Sequence, residues 1–253
     1  MIESIHNPKV THEIYKKLRK ANTERELAHE RSGKLSAGKL GQPLLEQMLY
    51  VLGVPTKSND DYALGLFKRG NDVEDAIVEL LEPDETQVEV DYRGTIGIVD
   101  AIRNGMVYEI KSIKSSMWRY IDPTNEKQKR SGGSLVREYA GPKRQHVLQA
   151  VQNGLALGKD QVTVLYVSAD DYRTAAHVVS VADIKPDVDA IIDRFNAQMA
   201  SKRLPEFEAI ESWQNNPQYS NYPDWISLEP EQMMEKLRQQ YPVSYKKLTG
   251  EDV

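Results

Sequence analysis

Apolar positions recur along this chain with two different periods, and the switches between them outline its elements. Between residues 86 and 92 apolar and polar side chains alternate, the period of a strand with one buried face. Two β-rich runs follow, residues 94–103 and 106–113, on either side of Asn104-Gly105. That dipeptide favours a two-residue turn because both residues tolerate positive φ, so a hairpin is expected there. Residues 162–167 are continuously apolar, as in a sheet interior, and 176–181 make a further strand.

Helical spacing governs most of the rest. Residues 43–53 form an apolar helix closed by Gly53 and Pro55. Residues 70–81 read as a helix with Asp72 as N-cap and Val73, Ala76, Ile77 and Leu80 as its stripe. Glu74 stands one step round, in line with Val78 and Leu81, either at the rim of the stripe or turned inward. The helix over 143–157 buries Val147, Leu148, Val151 and Leu155, carries Gln145, Gln149 and Gln152 on another side, and stops at Gly158. A helix starting at Pro186 bears Val188, Ile191, Ile192, Phe195 and Met199, and an amphipathic one closes the chain over 229–240. Residues 8–31 are charged, with Ile14, Leu18 and Leu27 as the main apolar positions, which predicts a peripheral helix. Residues 56–61 and 114–142 read as loops. The order of elements predicts an α/β core, a small mixed central sheet flanked by helices.

The hairpin carries the chemistry. A turn at Asn104-Gly105 pairs Arg103 with Met106, Ile102 with Val107, Ala101 with Tyr108 and Asp100 with Glu109. Glu109 then shares a face with Val107, Lys111 and Ile113. Two carboxylates opposed among Ile and Val repel each other, and a divalent cation between them reverses the sign of that cost. Lys111 points at the same spot. The hairpin is expected to be a metal site.

Composition narrows the setting. The chain has 253 residues, a net charge of −5 and no cysteine, which excludes disulfides, thiolate zinc sites and iron–sulfur clusters. Neither a membrane-spanning apolar run nor a signal-peptide core is present, so a cytoplasmic protein without a membrane partner is expected. Local charge departs from the global balance: residues 111–144 hold nine Lys/Arg against three Asp/Glu, with Trp118, Tyr120 and Tyr139 interleaved. Cations neutralise phosphates and rings stack bases, so this is the composition of a single-strand-binding loop. Its candidate contacts are Lys114, Trp118, Arg119, Lys127, Lys129, Arg130, Arg137, Lys143 and Arg144.

Glu74, Asp100, Glu109-Ile110-Lys111 and Gln149, in that order, resemble the PD-(D/E)xK nuclease superfamily, and within it the RecB-like exonuclease branch. The likeness spans about residues 33–205. Leu35-Ser-Ala-Gly-Lys-Leu-Gly resembles the branch's N-terminal segment, Arg69-Gly70-x-x-x-Glu74 its acidic helix, Gly97-Ile-Val-Asp100 and Glu109-Ile-Lys111 its two strands, and the helix from His146 through Gln149 to Gly158 its glutamine motif. Val99 precedes Asp100 where a proline often stands, Asn153 replaces a frequent tyrosine, and the cluster-binding cysteines of several relatives are absent. Gln42 and residues 213–225 occupy the corresponding regions, so packing has to replace the staple there.

The resemblance implies a restriction-endonuclease-like core with N- and C-terminal helical additions: one nuclease domain over 1–253, with an N-terminal helical region (1–69), a catalytic core (70–205) and a C-terminal extension (206–253). It implies Mg²⁺, with Mn²⁺ able to substitute, held by Asp100, Glu109, the Ile110 carbonyl and Glu74. Lys111 would position or deprotonate the attacking water, its own pKa lowered near the cation; Gln149 would orient the lysine or the substrate, and His146 would contact a phosphate. The activity implied is a DNA exonuclease serving recombination, repair or phage DNA processing, with a recombination or replication protein as a possible partner. A structure-specific endonuclease and an inactive DNA-binding module are the alternatives.

Overall fold

The structure, a computed structural model, describes residues 12–21, 33–122, 124, 126–131, 134–139 and 141–251, with the side chains of 126–131 and 134–139 outside that description. In chain order the elements are α1 (residues 12–21), β1 (Leu35–Ser36), α2 (Leu44–Leu52), α3 (Asp61–Leu81), β2 (Glu85–Tyr92), β3 (Thr95–Arg103) and β4 (Met106–Ile113). After a 3₁₀ turn (Ser115–Tyr120) come β5 (Glu126–Ser131), β6 (Ser134–Tyr139), α4 (Arg144–Ala156), β7 (Gln161–Ser168), β8 (Thr174–Ser180), α5 (Val181–Ala200), α6 (Pro230–Gln240) and α7 (Pro242–Thr249). A mixed six-stranded sheet in the order β1-β3-β4-β7-β8, with β2 also on β3, is flanked by helices, as expected for the α/β core.

The hairpin turn is where the sequence puts it. Asn104 and Gly105 both have positive φ, 50° and 74°, and Arg103 pairs with Met106, Ile102 with Val107 and Ala101 with Tyr108. There the β3–β4 ladder ends. Toward its start β3 pairs with β1 instead, at Thr95 and Ile96, while β2 runs along it from Thr95 to Ile102. Gly97 to Asp100 therefore face a gap between β1 and β4. On its other edge β4 stays parallel to β7 from Val107 to Ile113.

Two apolar layers hold the sheet. One contains Val107, Ile113, Val164 and Tyr166 and continues into α2, α4 and α5. The other sets Ile110, Leu165 and Val167 against Val73 and Ile77 of α3. Helix α4 lies close on β3: Gln152 Nε2 donates to the Thr95 carbonyl at 2.8 Å and Asn153 Nδ2 to the Ile98 carbonyl at 3.2 Å. A Cβ on Gly97 would stand 1.9 Å from Asn153 Oδ1 and 2.5 Å from Gln152 Oε1. Only glycine allows that approach.

The neighbourhood of Gln42 and the 213–225 stretch are joined by hydrogen bonds and packing. Ser220 Oγ donates to buried Glu46 at 2.6 Å, Gln214 Nε2 to the Gly41 carbonyl at 3.2 Å, and Tyr222 and Trp225 enter the main core.

Several elements differ from the sequence reading. Helix α3 starts at Asp61, capped by Asp60 accepting the Ala63 N–H at 2.7 Å, and runs through Gly70 and across the 69/70 boundary. Asp72 is thus mid-helix, paired with Lys68, and Leu80 is 73% exposed. Burial of Val73 and Ile77 against the sheet outweighs the glycines' weak propensity. Residues 126–131 and 134–139, expected as loop, form the antiparallel strands β5 and β6. Helix α5 begins at Val181, five residues before Pro186, with Ser180 as its cap. Helix α7 was not expected.

Replacing Gly97 with Ala is expected to destabilise the fold by about 1–3 kcal/mol, the cost of forcing a methyl into a packed interface. Urea unfolding measures it, and an unshifted midpoint would mean that α4 is not seated on β3 as described.

Candidate active site

The gap between β3 and β4 is filled by side chains. Asp100 Oδ2 accepts the Ile110 N–H at 2.7 Å, so a carboxylate replaces the carbonyl that a continuous ladder would supply. Asp100 and Glu109 are consequently not a ladder pair. Their strands have parted before they reach each other, which corrects the direct opposition inferred from the turn.

Glu109 is fully buried, and its Oε1 lies 2.5 Å from Lys111 Nζ. Its Oε2 has no hydrogen-bond partner among the described residues. Glu74 reaches in from α3, accepting from the Ser112 N–H at 3.1 Å and its hydroxyl at 3.4 Å, so this acid is turned inward rather than left at the rim. Its charge interacts with both Lys111 and Asp100.

Electrostatics follow from burial. Glu109 is pushed up to about 8, chiefly by loss of water, with Lys111 opposing and Asp100 and Glu74 adding to the rise. Burial raises Asp100 and Glu74 as well, against the pull of Lys111. For Lys111 burial alone lowers the pKa, but Glu109 and Asp100 outweigh it and the net shift is upward. The fall expected beside a cation is thus reversed in the protein by itself, because carboxylates are what the ammonium meets.

Gln149 and His146 sit on α4. Gln149 Oε1 lies over Gly38, 3.6 Å from where its Cβ would be, which places it against the Ser36–Gly38 segment. His146 Nδ1 is 2.9 Å from the Tyr166 hydroxyl, which also accepts the Lys143 N–H at 2.9 Å. Burial, with Lys111 and Lys143 nearby, lowers His146 to about 3 and keeps it neutral. Tyr166 was missed from sequence. It is fully buried and stands beside Lys111 in the β4–β7 register, so it ties the start of α4 to the strand next to the lysine. Within the apolar run of 162–167 its one polar atom was the available signal.

The expected phosphate contacts divide. Lys114 and Arg119 are exposed. Trp118 is buried, its Nε1 donating to Asp122 at 2.9 Å and its ring covered by Arg173, so it is a core residue rather than a stacking surface. Arg144 pairs with Asp187 at 2.9 Å, and Lys143 is the exposed N-cap of α4. Lys127, Lys129, Arg130 and Arg137 lie on β5 and β6, and their side chains are outside the described part.

No protein-family model and no curated protein sequence matches the chain. Among solved structures it is similar to an alkaline exonuclease (LHK-Exo) from Laribacter hongkongensis, 15% identical with a TM-score of 0.44 over 68% of this chain and 92% of that one. The same exonuclease in complex with dAMP gives 15% and 0.44, over 67% and 91%. The protein SSO0001 gives 19% and 0.45, over 74% and 91%. Each is under 25% identical with a TM-score under 0.5, so the functional reading rests on the site's own residues.

The Glu109 shift has a consequence for stability. A carboxyl raised from 4.5 to about 8 binds more protons folded than unfolded between those values. The metal-free protein is therefore expected to lose stability as pH rises from about 4.5 to about 8. Glu109→Gln removes that titration, so its melting temperature in chelator should fall less over the same window. An identical slope in both proteins would contradict the burial of an ionisable Glu109.

Proposed function

We propose that the protein is a metal-dependent deoxyribonuclease that hydrolyses phosphodiester bonds from DNA ends. The observation carrying this reading is the group at the strand gap: Glu109 fully buried, with Glu74, Asp100 and Lys111 half-buried around it, three carboxylates to one ammonium and a formal excess of two negative charges. Such an excess is costly unless a cation offsets it. The donors are all hard oxygens and Glu109 Oε2 lacks a hydrogen-bond partner among the described residues, which suits a divalent ion of the Mg²⁺ kind, with Mn²⁺ as a substitute. As the side chains stand, no three His, Asp or Glu among the described residues are gathered to hold an ion, and the Lys111 ammonium takes the place of the charge.

Asp100, Glu109 and the Ile110 carbonyl would be the principal ligands, with Glu74 joining them or acting through water. When bound, the ion supplies Lewis-acid compensation for charge on the phosphoryl and leaving oxygens. The chain's own groups do the rest. Lys111 orients the attacking water and offsets charge as it develops. Neutral His146 can hydrogen-bond a phosphate oxygen without competing for the cation. Gln149, lying against Gly38, would orient the lysine or the substrate. Lys114, Arg119 and Lys143 neutralise backbone phosphates, joined by Lys127, Lys129, Arg130 and Arg137 of β5 and β6. The biological setting that fits is recombination, repair or phage DNA processing. No helix among the described residues is long and apolar enough to cross a membrane.

End-labelled linear DNA and closed circles, incubated with Mg²⁺, Mn²⁺ or chelator, test this reading. Linear DNA should be degraded with either ion and spared in chelator, while circles survive; cutting of circles would make the protein an endonuclease. Lys111→Ala and Asp100→Ala should lower kcat at least about 100-fold, the scale of a lost acid–base or charge-stabilising group, and full activity in either variant would remove the proposed site.

A further inference from the structure

Parting from β3 leaves the Ile110 and Ser112 N–H groups of β4 without β3 carbonyls, and two acids of the site take them. N–H groups alternate between the two edges of a strand, so these two point to the same side. Asp100 Oδ2 accepts the first at 2.7 Å and Glu74 Oε1 the second at 3.1 Å. The Ser112 hydroxyl adds another donor to Glu74 Oε1, at 3.4 Å. Both Ser112 donors thus fall on one oxygen, and among the described residues no hydrogen-bond donor reaches Glu74 Oε2.

Helix α3 has anchors besides this one. Val73 and Ile77 pack on the sheet, and Arg69 donates to Asp170 at 3.2 Å, which also accepts the Ser115 N–H at 2.8 Å just beyond β4. Gly70 brings the helix close to the serine: a Cβ there would stand 3.0 Å from Ser112 Oγ and crowd the hydroxyl that meets Glu74. What the two Ser112 donors fix is therefore the aim of a carboxylate rather than the seat of a helix. With one oxygen held by charge-assisted hydrogen bonds, the other is presented in a set direction, which suits a hard cation. Groups that orient a ligand in this way tune metal affinity without touching the metal.

We propose that Ser112 is a positioning residue for Glu74: its N–H and hydroxyl hold Oε1 and leave Oε2 as the donor to the divalent ion. This rests on the metal-dependent reading of the site and adds to it how the third carboxylate is aimed. Calorimetric titration of the DNA-free protein with Mn²⁺ tests it without relying on hydrolysis. Ser112→Ala should weaken Mn²⁺ binding about tenfold, the lower end of the loss seen when a ligand's orienting partner is removed. Ser112→Thr keeps the hydroxyl and should stay within about twofold of the parent. In a Glu74→Gln background, where an amide nitrogen replaces the offered oxygen, Ser112→Ala should change the affinity by less than about twofold. A merely structural serine would cost the same in both backgrounds. Unchanged affinity in Ser112→Ala, equal losses with and without Glu74, or a Thr variant as weak as the Ala one would each overturn the assignment. No Mn²⁺ binding by the parent would overturn it together with the metal site. DNA hydrolysis by a parent whose Mn²⁺ affinity is indifferent to Ser112→Ala would remove the positioning role alone. Serine-dependent Mn²⁺ binding without hydrolysis by the parent would remove the nuclease reading alone.

Discussion

Everything in the site depends on β3 and β4 pairing at their turn and parting after Ala101. A continuous ladder would satisfy the Ile110 N–H with a main-chain carbonyl and leave no room for side chains between the strands. Parting exposes that N–H, and Asp100 accepts it. A charge-assisted hydrogen bond is worth roughly twice a neutral one, so the carboxylate both repairs the backbone and is held fixed by it. Glu109 and Lys111 come along because they lie on β4, whose other edge stays paired with β7. Glu74 arrives from the opposite side, anchored to Ser112.

The gap persists because its walls are made of other contacts. β1 takes the start of β3, β2 holds its far edge, and α4 presses on Gly97 through Gln152 and Asn153. The price is one buried and two half-buried acids whose charges are only partly compensated. That cost falls on the strand gap rather than on the apolar layers, so the core can stay closely packed while the site remains under electrostatic stress. Stress of this kind has a direction: it favours proton uptake in the empty protein and cation uptake when a divalent ion is present.

How much of this could be read beforehand follows from the range of each interaction. The hairpin register was legible because Asn104-Gly105 fixes a two-residue turn locally. That the ladder stops after Ala101 was not, since it depends on β1, a two-residue strand contributed from 59 positions or more earlier in the chain. Strand and helix periods located α4 and β7, but the Tyr166 hydroxyl acquires meaning only when Lys143 and His146 are folded against it. Glycines at 65 and 70 hid the first half of α3, whose helix is stabilised by packing on the sheet. Trp118 illustrates the opposite error: composition placed it among basic residues, and tertiary packing buried it under Arg173.

The most direct test of the strand-gap account is Mn²⁺ binding followed by electron paramagnetic resonance, using the parent chain, Asp100→Asn and Glu109→Gln in the absence of DNA. The account predicts saturable binding by the parent and a loss of at least about tenfold in affinity for each variant, since each removes a hard anionic donor. Equal Mn²⁺ affinity in all three proteins, or none in the parent, would contradict it.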